Sequence, residues 1–504
     1  MSPQPTTLDF HYDISCPFAH IASLLIPALQ TRHPNLQIAY RPVLLGAIYR
    51  ATAAPQGAAG SASDTFNPTK RHVTSKAFVR TKARLGVVQN EPKRHPMKTT
   101  GALRLLYCVG DGKERVVLTK GLYDAYWVRG MDVSDVATLK TVVRECGDLA
   151  EGTRNKLLGM LEDGSFEGAK QRRELEETTN LAVERGAFGV PAFWIEAEEW
   201  TDRKTGQKKK GRLYWGQDRL QFVEKALFAL ERRSSVSGLP RLESLVPRAV
   251  AIGNRKVPDG QEAKMEFWYD FSSPWAFLGW TQLARLKRIF GSQLKIEMKP
   301  FLLGILFREI GAPNTPMAAV SEAKRIYSQL DHSDWTKWWN DVNHQEGRPD
   351  KNIDFYWADI FPIRTPTVLR AVLAEPKLVD VLFRACWERN KDMSSDEILR
   401  EVIAEAGYDA DAIMKSANSA EIKQDLRART KEAKDIGICG VPSYRIFRRQ
   451  KGQVGVDWKL VSDIIWGQDD IAAVEDLISG WDGQQQVSVA IEEVEGRGEA
   501  KSKL

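Results

Sequence analysis

The chain has 504 residues, 43% of them hydrophobic, which is enough for two domains that each bury a full core. Its 72 basic and 66 acidic side chains leave a net charge of only +6, without a block of basic residues, so we do not expect it to bind nucleic acid. Its first residues lack the pattern of a secretory signal and it has no apolar run long enough to cross a bilayer, so we expect neither secretion nor a membrane anchor.

The first predicted element is a short strand, LDFHYDI (8–14), followed by Ser-Cys-Pro and a helical pattern. Proline suits the first turn of a helix because its missing N–H would have no partner there. A second strand, LQIAYRPVLL (36–45), then pairs back, and a helix-rich segment follows to about residue 185. A Val-Pro pair precedes another β-prone run, and a later strand and a closing helix complete the unit.

The same order of elements begins again at MEFWYDF (265–271), before Ser-Ser-Pro, the helical pattern WAFLGWTQLARLKRIF and the strand LKIEMKPFLL. Four further landmarks recur in order: RPVLLGAIYR (41–50) and KPFLLGILFR (299–308), YWVRGMDVSD (126–135) and CWERNKDMSSDE (386–397), GAFGVPAF (186–193) and GICGVPSY (437–444), YWGQDRLQFVEKAL (214–227) and IWGQDDIAAVEDLI (465–478). Such repetition predicts a tandem duplication.

We therefore expect two domains, repeat 1 at residues 1–233 and repeat 2 at residues 265–482. The stretch 234–264 between them is rich in Ser, Gly, Pro and charge, as a linker is. Residues 483–504 have the composition of a flexible tail, which ends in Ser-Lys-Leu. This tripeptide is an address that an import receptor reads, so we expect a peroxisomal location.

These landmarks carry a resemblance. Y-D-x-S-[S/C]-P, P-[F/V]-L-L-G, the Trp-to-Asp-Ser step, G-V-P and W-G-Q-D, twice in order, resemble a thioredoxin fold with an inserted helical domain. This is the arrangement of the DsbA-like superfamily, which includes kappa-class glutathione transferases and 2-hydroxychromene-2-carboxylate isomerases. The resemblance implies the α/β class, with two tandem thioredoxin-like domains, each with a helical insertion. It also implies glutathione as cosubstrate or cofactor, without a metal.

The residue before the first proline differs between the repeats: Cys16 in repeat 1 and Ser273 in repeat 2. The N–H groups and dipole at a helix N-terminus favour a thiolate beside them. A serine there can donate a hydrogen bond to the thiolate of glutathione, although it can also simply cap the helix. We predict both residues to be catalytic candidates.

Cys16 is expected to have a depressed pKa and to be nucleophilic. It cannot run dithiol exchange, because Ala19 stands where a second cysteine would be needed. It is either a monothiol nucleophile, a site of glutathionylation or a relic. The five cysteines are odd in number and scattered, which indicates neither a disulfide framework nor a metal site.

The resemblance also implies the residues that hold glutathione. The G-V-P proline is expected to be cis, and the backbone of the valine before it is expected to pair with the tripeptide. W-G-Q-D is expected to bind the γ-glutamyl end, with the Asp reaching the amino group. The positions are Val441, Pro442, Gln468 and Asp469 in repeat 2, and Val190, Pro191, Gln217 and Asp218 in repeat 1. Arg219 follows the motif in repeat 1, as in the family, whereas Asp470 follows it in repeat 2.

The insertion of repeat 2, AKRIYSQLDHSDWTKWWN (323–340), resembles the substrate-covering helices of the family. We predict an apolar substrate pocket lined by Tyr327, Trp335 and Trp338, although such aromatic residues can equally belong to a core. The counterpart in repeat 1 is more basic and lacks the aromatic cluster. We therefore favour repeat 2 as the glutathione site and repeat 1 as mainly a structural partner.

Three functions remain open. The first is a kappa-like glutathione transferase or a glutathione-dependent isomerase, in which the thiolate adds to an electrophilic carbon of an apolar small molecule. The second is a monothiol disulfide oxidoreductase or peroxidase that uses Cys16. The third is a non-catalytic binding or scaffold protein. The resemblance also implies a homodimer, which we expect the fusion to replace by a monomeric pseudo-dimer.

Overall fold

The computed structural model describes residues 6–57, 60–201, 206–232, 239–452 and 457–484. Within these ranges, no helix combines the length and the apolar character that crossing a membrane requires. The Ser-Lys-Leu tripeptide and most of the predicted tail lie outside the described residues, so the peroxisomal location stays a prediction.

Repeat 1 begins with the predicted strand, helix and strand. Its strands are β1 (Thr7–Tyr12), β2 (Gln37–Pro42), β3 (Ala192–Thr201) and β4 (Lys208–Trp215). Its helices are α1 (Pro17–Arg32), α2 (Leu45–Ala51), α3 (Pro68–Arg84), α4 (Thr100–Leu106), α5 (Lys113–Tyr123), α6 (Val136–Glu145), α7 (Glu151–Asp163), α8 (Ala169–Glu184) and α9 (Leu220–Arg232). The second strand is shorter than predicted because Leu45 begins α2, its backbone N–H donating to Asp13 at 2.9 Å.

Repeat 2 follows the same order. Its strands are β5 (Gln261–Tyr269), β6 (Leu294–Pro300), β7 (Ser443–Gln450), β8 (Lys459–Leu460) and β9 (Ile465–Trp466). Its helices are α10 (Pro274–Thr281), α11 (Leu283–Phe290), α12 (Leu303–Glu309), α13 (Glu322–Gln345), α14 (Pro366–Ala374), α15 (Val379–Trp387), α16 (Asp396–Glu405), α17 (Ala410–Ala417), α18 (Ala420–Asp435) and α19 (Ile471–Ile478). The single helix predicted after Ser-Ser-Pro is divided at Gln282.

The sheets of the two repeats share one topology. In repeat 1 the strand order is β2-β1-β3-β4, and in repeat 2 it is β6-β5-β7-β8, with β9 also paired to β7. The first strand of each sheet pairs parallel with the second and antiparallel with the third. A parallel pair needs a crossover, which α1 supplies in repeat 1 and α10 with α11 in repeat 2. The predicted α/β class with two tandem units is confirmed.

The described part of the predicted linker, residues 239–260, packs on repeat 2 and is not a loose connection. Glu475 of α19 is fully buried and accepts hydrogen bonds from Arg248 (2.5 Å) and Arg255 (2.7 Å) of this segment. Arg285 of α11 donates to the same carboxylate at 2.6 Å. Although burial opposes ionisation, these three guanidinium groups hold the pKa of Glu475 well below its usual range.

Candidate functional site

The loop between β5 and α10 presents Ser273 at the N-terminus of α10. Its side chain is 8% exposed, and its Oγ accepts a hydrogen bond from the backbone N–H of Ala276 at 3.2 Å. Ser273 therefore does cap the helix. Because a hydroxyl can accept and donate at the same time, its proton remains able to bond to another acceptor.

An aspartate of the Y-D-x-S motif fixes this loop. Asp270 is buried and accepts hydrogen bonds from the backbone N–H groups of Ser272 (3.0 Å) and Leu303 (2.9 Å). In repeat 1, Asp13 accepts from Ser15 and Leu45 in the same way. The conserved spacing of the motif between the repeats thus ties the loop before each helix to the start of the insertion.

A tryptophan of the insertion anchors the same loop from the other side. The indole N–H of Trp387 donates to the carbonyl of Phe271 at 2.8 Å, two residues before Ser273. In repeat 1, Trp127 donates to the carbonyl of Ile14 at 2.8 Å, two residues before Cys16. This contact explains why the Trp recurs as a landmark in both repeats.

The G-V-P and W-G-Q-D landmarks meet in space. The Val190–Pro191 and Val441–Pro442 peptide bonds are both cis, as the resemblance implied. In repeat 2 the backbone N–H of Gly467 donates to the carbonyl of Pro442 at 2.9 Å, and repeat 1 has the equivalent bond at 3.0 Å. Gly440 lies so close to the Trp466 ring that an added Cβ would be 2.6 Å from the indole nitrogen.

The helix with Ser273 packs directly on this loop. A Cβ at Gly279 in α10 would lie 3.0 Å from Cγ of Pro442 and 2.7 Å from the Tyr444 hydroxyl. The close approach requires a glycine there, and it brings the first helix, the G-V-P loop and the W-G-Q-D loop of repeat 2 together.

The polar anchors of repeat 2 are partly buried. Gln468 is fully buried, its Oε1 accepts from the indole N–H of Trp339 at 3.0 Å, and its Nε2 has no partner among the described residues. Asp469 accepts from Arg219 of repeat 1 at 3.1 Å. Burial raises the pKa of Asp469 to about 6 against the effect of Arg219, with further repulsion from the carboxylates of Asp218, Asp331 and Asp470.

Repeat 1 differs at the equivalent place. Cys16 is 5% exposed, and its thiol donates to the carbonyl of Val190 at 3.1 Å. Burial raises the pKa of Cys16 to about 12, although the backbone N–H groups of Ala19 and Phe18 oppose this shift. The expectation of a depressed pKa is therefore wrong, because the cost of burying a thiolate exceeds the stabilisation by the helix N-terminus.

The two valines consequently have different backbone surroundings. The carbonyl of Val190 is engaged by Cys16, whereas the carbonyl and N–H of Val441 have no hydrogen-bond partner among the described residues. Of the other predicted anchors in repeat 1, Gln217 is half-buried, and Asp218 is exposed and paired with Arg219 at 2.6 Å. The carbonyl of the G-V-P valine thus has a side-chain donor in repeat 1 and none among the described residues in repeat 2.

The three predicted pocket residues are buried and face repeat 1. The Tyr327 hydroxyl accepts from the backbone N–H of Trp215 at 2.9 Å, and Trp335 and Trp338 pack on Phe222 with centroids 4.9 and 5.6 Å apart. The cavity that these two tryptophans line beside Asp469 has a volume of only about 10 Å³, room for one water molecule. Their role as a substrate pocket stays a prediction.

Two lysines that sequence reasoning missed cross between the repeats. Lys70 of α3 lies over the ring of Trp466 in repeat 2 at 5.4 Å, and Lys324 of α13 lies over the ring of Trp215 in repeat 1 at 5.3 Å. Burial, with Lys70 nearby, lowers the pKa of Lys324 to about 8. Neither ammonium group has a carboxylate partner among the described residues. Each lysine lies three residues after a helix N-cap, Asn67 or Ser321. This shared spacing could have identified the pair from the sequence.

The described residues contain no group of His, Cys, Asp and Glu side chains suited to a metal ion. The site consists instead of a hydroxyl at a helix N-terminus, a backbone N–H and carbonyl without a partner among the described residues, a buried amide and an aspartate. Such a set can hold a peptide-like anion and stabilise a thiolate.

Comparison with known proteins agrees with this architecture. The sequence profile of the DsbA-like thioredoxin domain matches residues 7–228 and 264–479. Glutathione S-transferase kappa 2 of Caenorhabditis elegans is 25% identical over 194 residues, which are 38% of this chain and 80% of that protein. The 2-hydroxychromene-2-carboxylate isomerase of Sphingobium xenophagum is 24% identical over 227 residues, which are 44% of this chain and 97% of that protein.

A solved structure of 2-hydroxychromene-2-carboxylate isomerase aligns with 45% of this chain and 100% of its own, at 21% identity and a TM-score of 0.35. The two sequence alignments, over 194 and 227 residues, each have about the length of one repeat. Because the family profile matches most of the sequence in two separate blocks, the chain belongs to the DsbA-like thioredoxin family and carries its domain twice.

Proposed function

We propose that the chain is a glutathione-dependent transferase or isomerase whose repeat 2 activates the thiolate of glutathione. The observation that carries this proposal is the Ser273 hydroxyl, which lies at the N-terminus of α10 and keeps its proton free to donate. Of the relatives named above, one is a kappa-class glutathione transferase, which supports glutathione chemistry, and one is an isomerase, which supports the second reaction.

Glutathione would use the other groups of the same site. Its peptide backbone would pair with the unpartnered N–H and carbonyl of Val441. The carboxylate of Asp469 would receive its amino group, and the free Nε2 of Gln468 can donate to its γ-glutamyl carboxylate. Lys70, from repeat 1, adds a positive charge near Trp466 that favours a ligand with two carboxylates.

The hydrogen bond from Ser273 and the dipole of α10 would lower the pKa of the bound thiol, so that the thiolate forms near neutral pH. The sulfur then attacks an electrophilic carbon, and a carbon–sulfur bond forms. In conjugation a leaving group departs with its electron pair, and in isomerisation the adduct rotates and the same bond breaks, which regenerates glutathione.

The monothiol alternative has little support from the geometry. A thiol with a pKa of about 12 that is bound to the Val190 carbonyl is almost wholly protonated at neutral pH. We therefore assign Cys16 to the structure of repeat 1.

Calorimetric titration with glutathione tests the proposal. We expect about one glutathione per chain, with micromolar to millimolar affinity, and thiolate absorbance that appears near neutral pH. Cys16→Ser should bind equally well, whereas Ser273→Ala should bind glutathione with a higher thiol pKa. Absence of binding at saturating glutathione would leave the scaffold alternative, and loss of activity in Cys16→Ser alone would favour the monothiol enzyme.

A further inference from the structure

The ion pairs between the two repeats have a single polarity. Among the described residues, every such pair has its cation in repeat 1 and its carboxylate in repeat 2. The pairs are Arg80–Asp470, Arg84–Asp470, Arg212–Asp334, Arg219–Asp331, Arg219–Asp469 and Lys225–Asp341. Two identical units related by a twofold axis would show each pair twice, with the polarity reversed. The repeats have therefore diverged in charge at their interface.

Several of these charges are buried. Arg80 is 4% exposed, and the side chains of Arg219 and Asp331 are 10% and 6% exposed. Removing such groups from water is costly unless an opposite charge faces them. Arg219 is held by two hydrogen bonds from Nε (2.7 Å) and Nη2 (3.0 Å) to the Asp331 carboxylate. A wrong partner at these positions would therefore cost far more than at an exposed surface.

Positions that correspond in the two repeats carry opposite charges. Arg219 and Asp470 each follow W-G-Q-D directly, and each contacts the first long helix of the other repeat's insertion. Arg219 contacts Asp331 in α13, and Asp470 contacts Arg80 in α3.

Those two helices also correspond, because each packs an aromatic ring on the residue after the first proline of its repeat. Phe78 of α3 contacts Phe18 at 5.1 Å, and His332 of α13 contacts Trp275 at 4.9 Å. The two contacts define an offset of 254 residues between the helices. With this offset, the position of Arg80 in repeat 1 corresponds to that of Asp334 in repeat 2. The charge is thus reversed between the repeats at one position of this helix and at the residue that follows W-G-Q-D.

We propose that this polarity commits each repeat to the other and rejects pairing between two copies of the same repeat. Pairing of repeat 1 with repeat 1 would face Arg219 with Arg80 and Arg84. Pairing of repeat 2 with repeat 2 would face Asp470 with the acidic surface of α13. Like charges inside a desolvated interface repel strongly, so only the mixed pair is stable. The partner that this surface fits is the oppositely charged repeat.

The test uses the whole chain with a protease site introduced at residues 233–238. Cleavage there leaves residues 239–260 attached to repeat 2, on which they pack. The repeats are then no longer covalently linked, so that their association becomes reversible. Native mass spectrometry then counts the species. For the unaltered sequence we expect every pair to be mixed, with free repeats appearing only on dilution and like pairs at no concentration. Like pairs at comparable abundance would overturn the proposal.

Charge reversal gives the decisive comparison. Asp470→Arg should weaken the mixed pair at least about tenfold, because the new guanidinium opposes Arg80 and Arg84, and should allow pairs of repeat 2, in which it meets the carboxylates of α13. Arg219→Asp should give the mirror result, with pairs of repeat 1. The matched control is Asp411→Arg, which breaks the exposed pair with Arg400 inside repeat 2 and should change neither population.

Compensation keeps the test decisive if a single variant folds poorly. Asp470→Arg combined with Arg80→Asp and Arg84→Asp restores opposite charges and should regain the mixed pair. Failure of this combination to recover, or a mixed pair of unchanged affinity in Asp470→Arg, would contradict the proposal.

Discussion

The Ser273 hydroxyl accepts one hydrogen bond as a helix cap, and its proton is the group that we expect to reach the glutathione sulfur. Ser273→Ala should reduce turnover by about 10²-fold or less, the scale for losing one donor to an anion. It should also raise the pKa of bound glutathione and cost about 1 kcal/mol of stability as a lost cap. Turnover is measured as the rate of conjugation of chlorodinitrobenzene, used as a model electrophile. The pKa of bound glutathione is measured by thiolate absorbance, and stability by thermal unfolding.

A second cap in the same repeat separates catalysis from stability. Ser419 caps α18 and accepts from Ile422 at 3.2 Å, the same distance as at Ser273. Ser419→Ala should therefore lose similar stability but keep turnover and the thiol pKa. Equal loss of activity in both variants would show that Ser273 acts only through the fold.

Cys16 should be chemically silent in the folded protein. All five cysteines are buried, and the pKa of Cys16 is raised to about 12, so little thiolate is available to react. We expect almost no labelling by iodoacetamide near neutral pH, and five labelled thiols after unfolding, measured by intact mass. Rapid native labelling that disappears in Cys16→Ser would restore the monothiol alternative.

Asp469 should make glutathione binding depend on pH. Its pKa is raised to about 6, so that the carboxyl group is mostly protonated below that pH. In this neutral form it cannot form an ion pair with the ammonium group of glutathione. Affinity should therefore rise between about pH 5 and about pH 7, as the carboxylate forms. Calorimetry at several pH values should show this rise for the unaltered chain and its loss in Asp469→Asn. Asp218→Asn, at the equivalent position of repeat 1, should retain the rise but move it to lower pH, because the Asp218 carboxylate helps to raise the pKa of Asp469.

At the scale of elements, the insertion positions the thiolate site through one indole. Trp387→Phe removes the hydrogen bond from α15 to the carbonyl of Phe271 and should cost about 1 kcal/mol. Because that loop carries Ser273, the variant should also lose turnover, whereas Trp127→Phe should lose stability only. An equal loss of turnover in the two variants would mean that repeat 1 takes part in the chemistry.

The elements themselves were largely predictable from the sequence, because five landmarks in the same order define one unit twice. The contacts that join Trp387 to Phe271, or Gly467 to Pro442, explain why those landmarks recur. The aromatic face of α13 was harder to interpret, since Trp335 and Trp338 have the same pattern whether they line a ligand pocket or meet another repeat. The raised pKa of Cys16 could not be predicted either, because the sequence does not indicate how deeply this thiol is buried.

At the scale of the molecule, Glu475 joins the segment between the repeats to repeat 2. Glu475→Gln would leave three buried guanidinium groups without their shared carboxylate and should cost about 3–5 kcal/mol near pH 7. Because the folded pKa lies below the ordinary value of about 4.5, this stabilisation is present above that value and is lost as the pH falls further. Urea unfolding should therefore show a difference that shrinks in acid.

An exposed glutamate provides the comparison. Glu322 pairs with Arg325 at the surface, with side chains 76% and 50% exposed. Glu322→Gln should leave the urea midpoint almost unchanged, both near pH 7 and in acid. A similar loss in the two variants would contradict the special role of Glu475.

The polarised ion pairs also bear on how this chain can change over evolutionary time. Since Asp470 pairs with Arg80 and Arg84, about 390 positions earlier, we expect a substitution at Asp470 to be compensated there and not at its own duplicate, Arg219. Sequences with the same duplication should therefore vary in step across the two repeats. A gene reduced again to one repeat would encode a face of buried charges with no counterpart. The duplication is thus hard to reverse, and the repeats are inherited as a single unit.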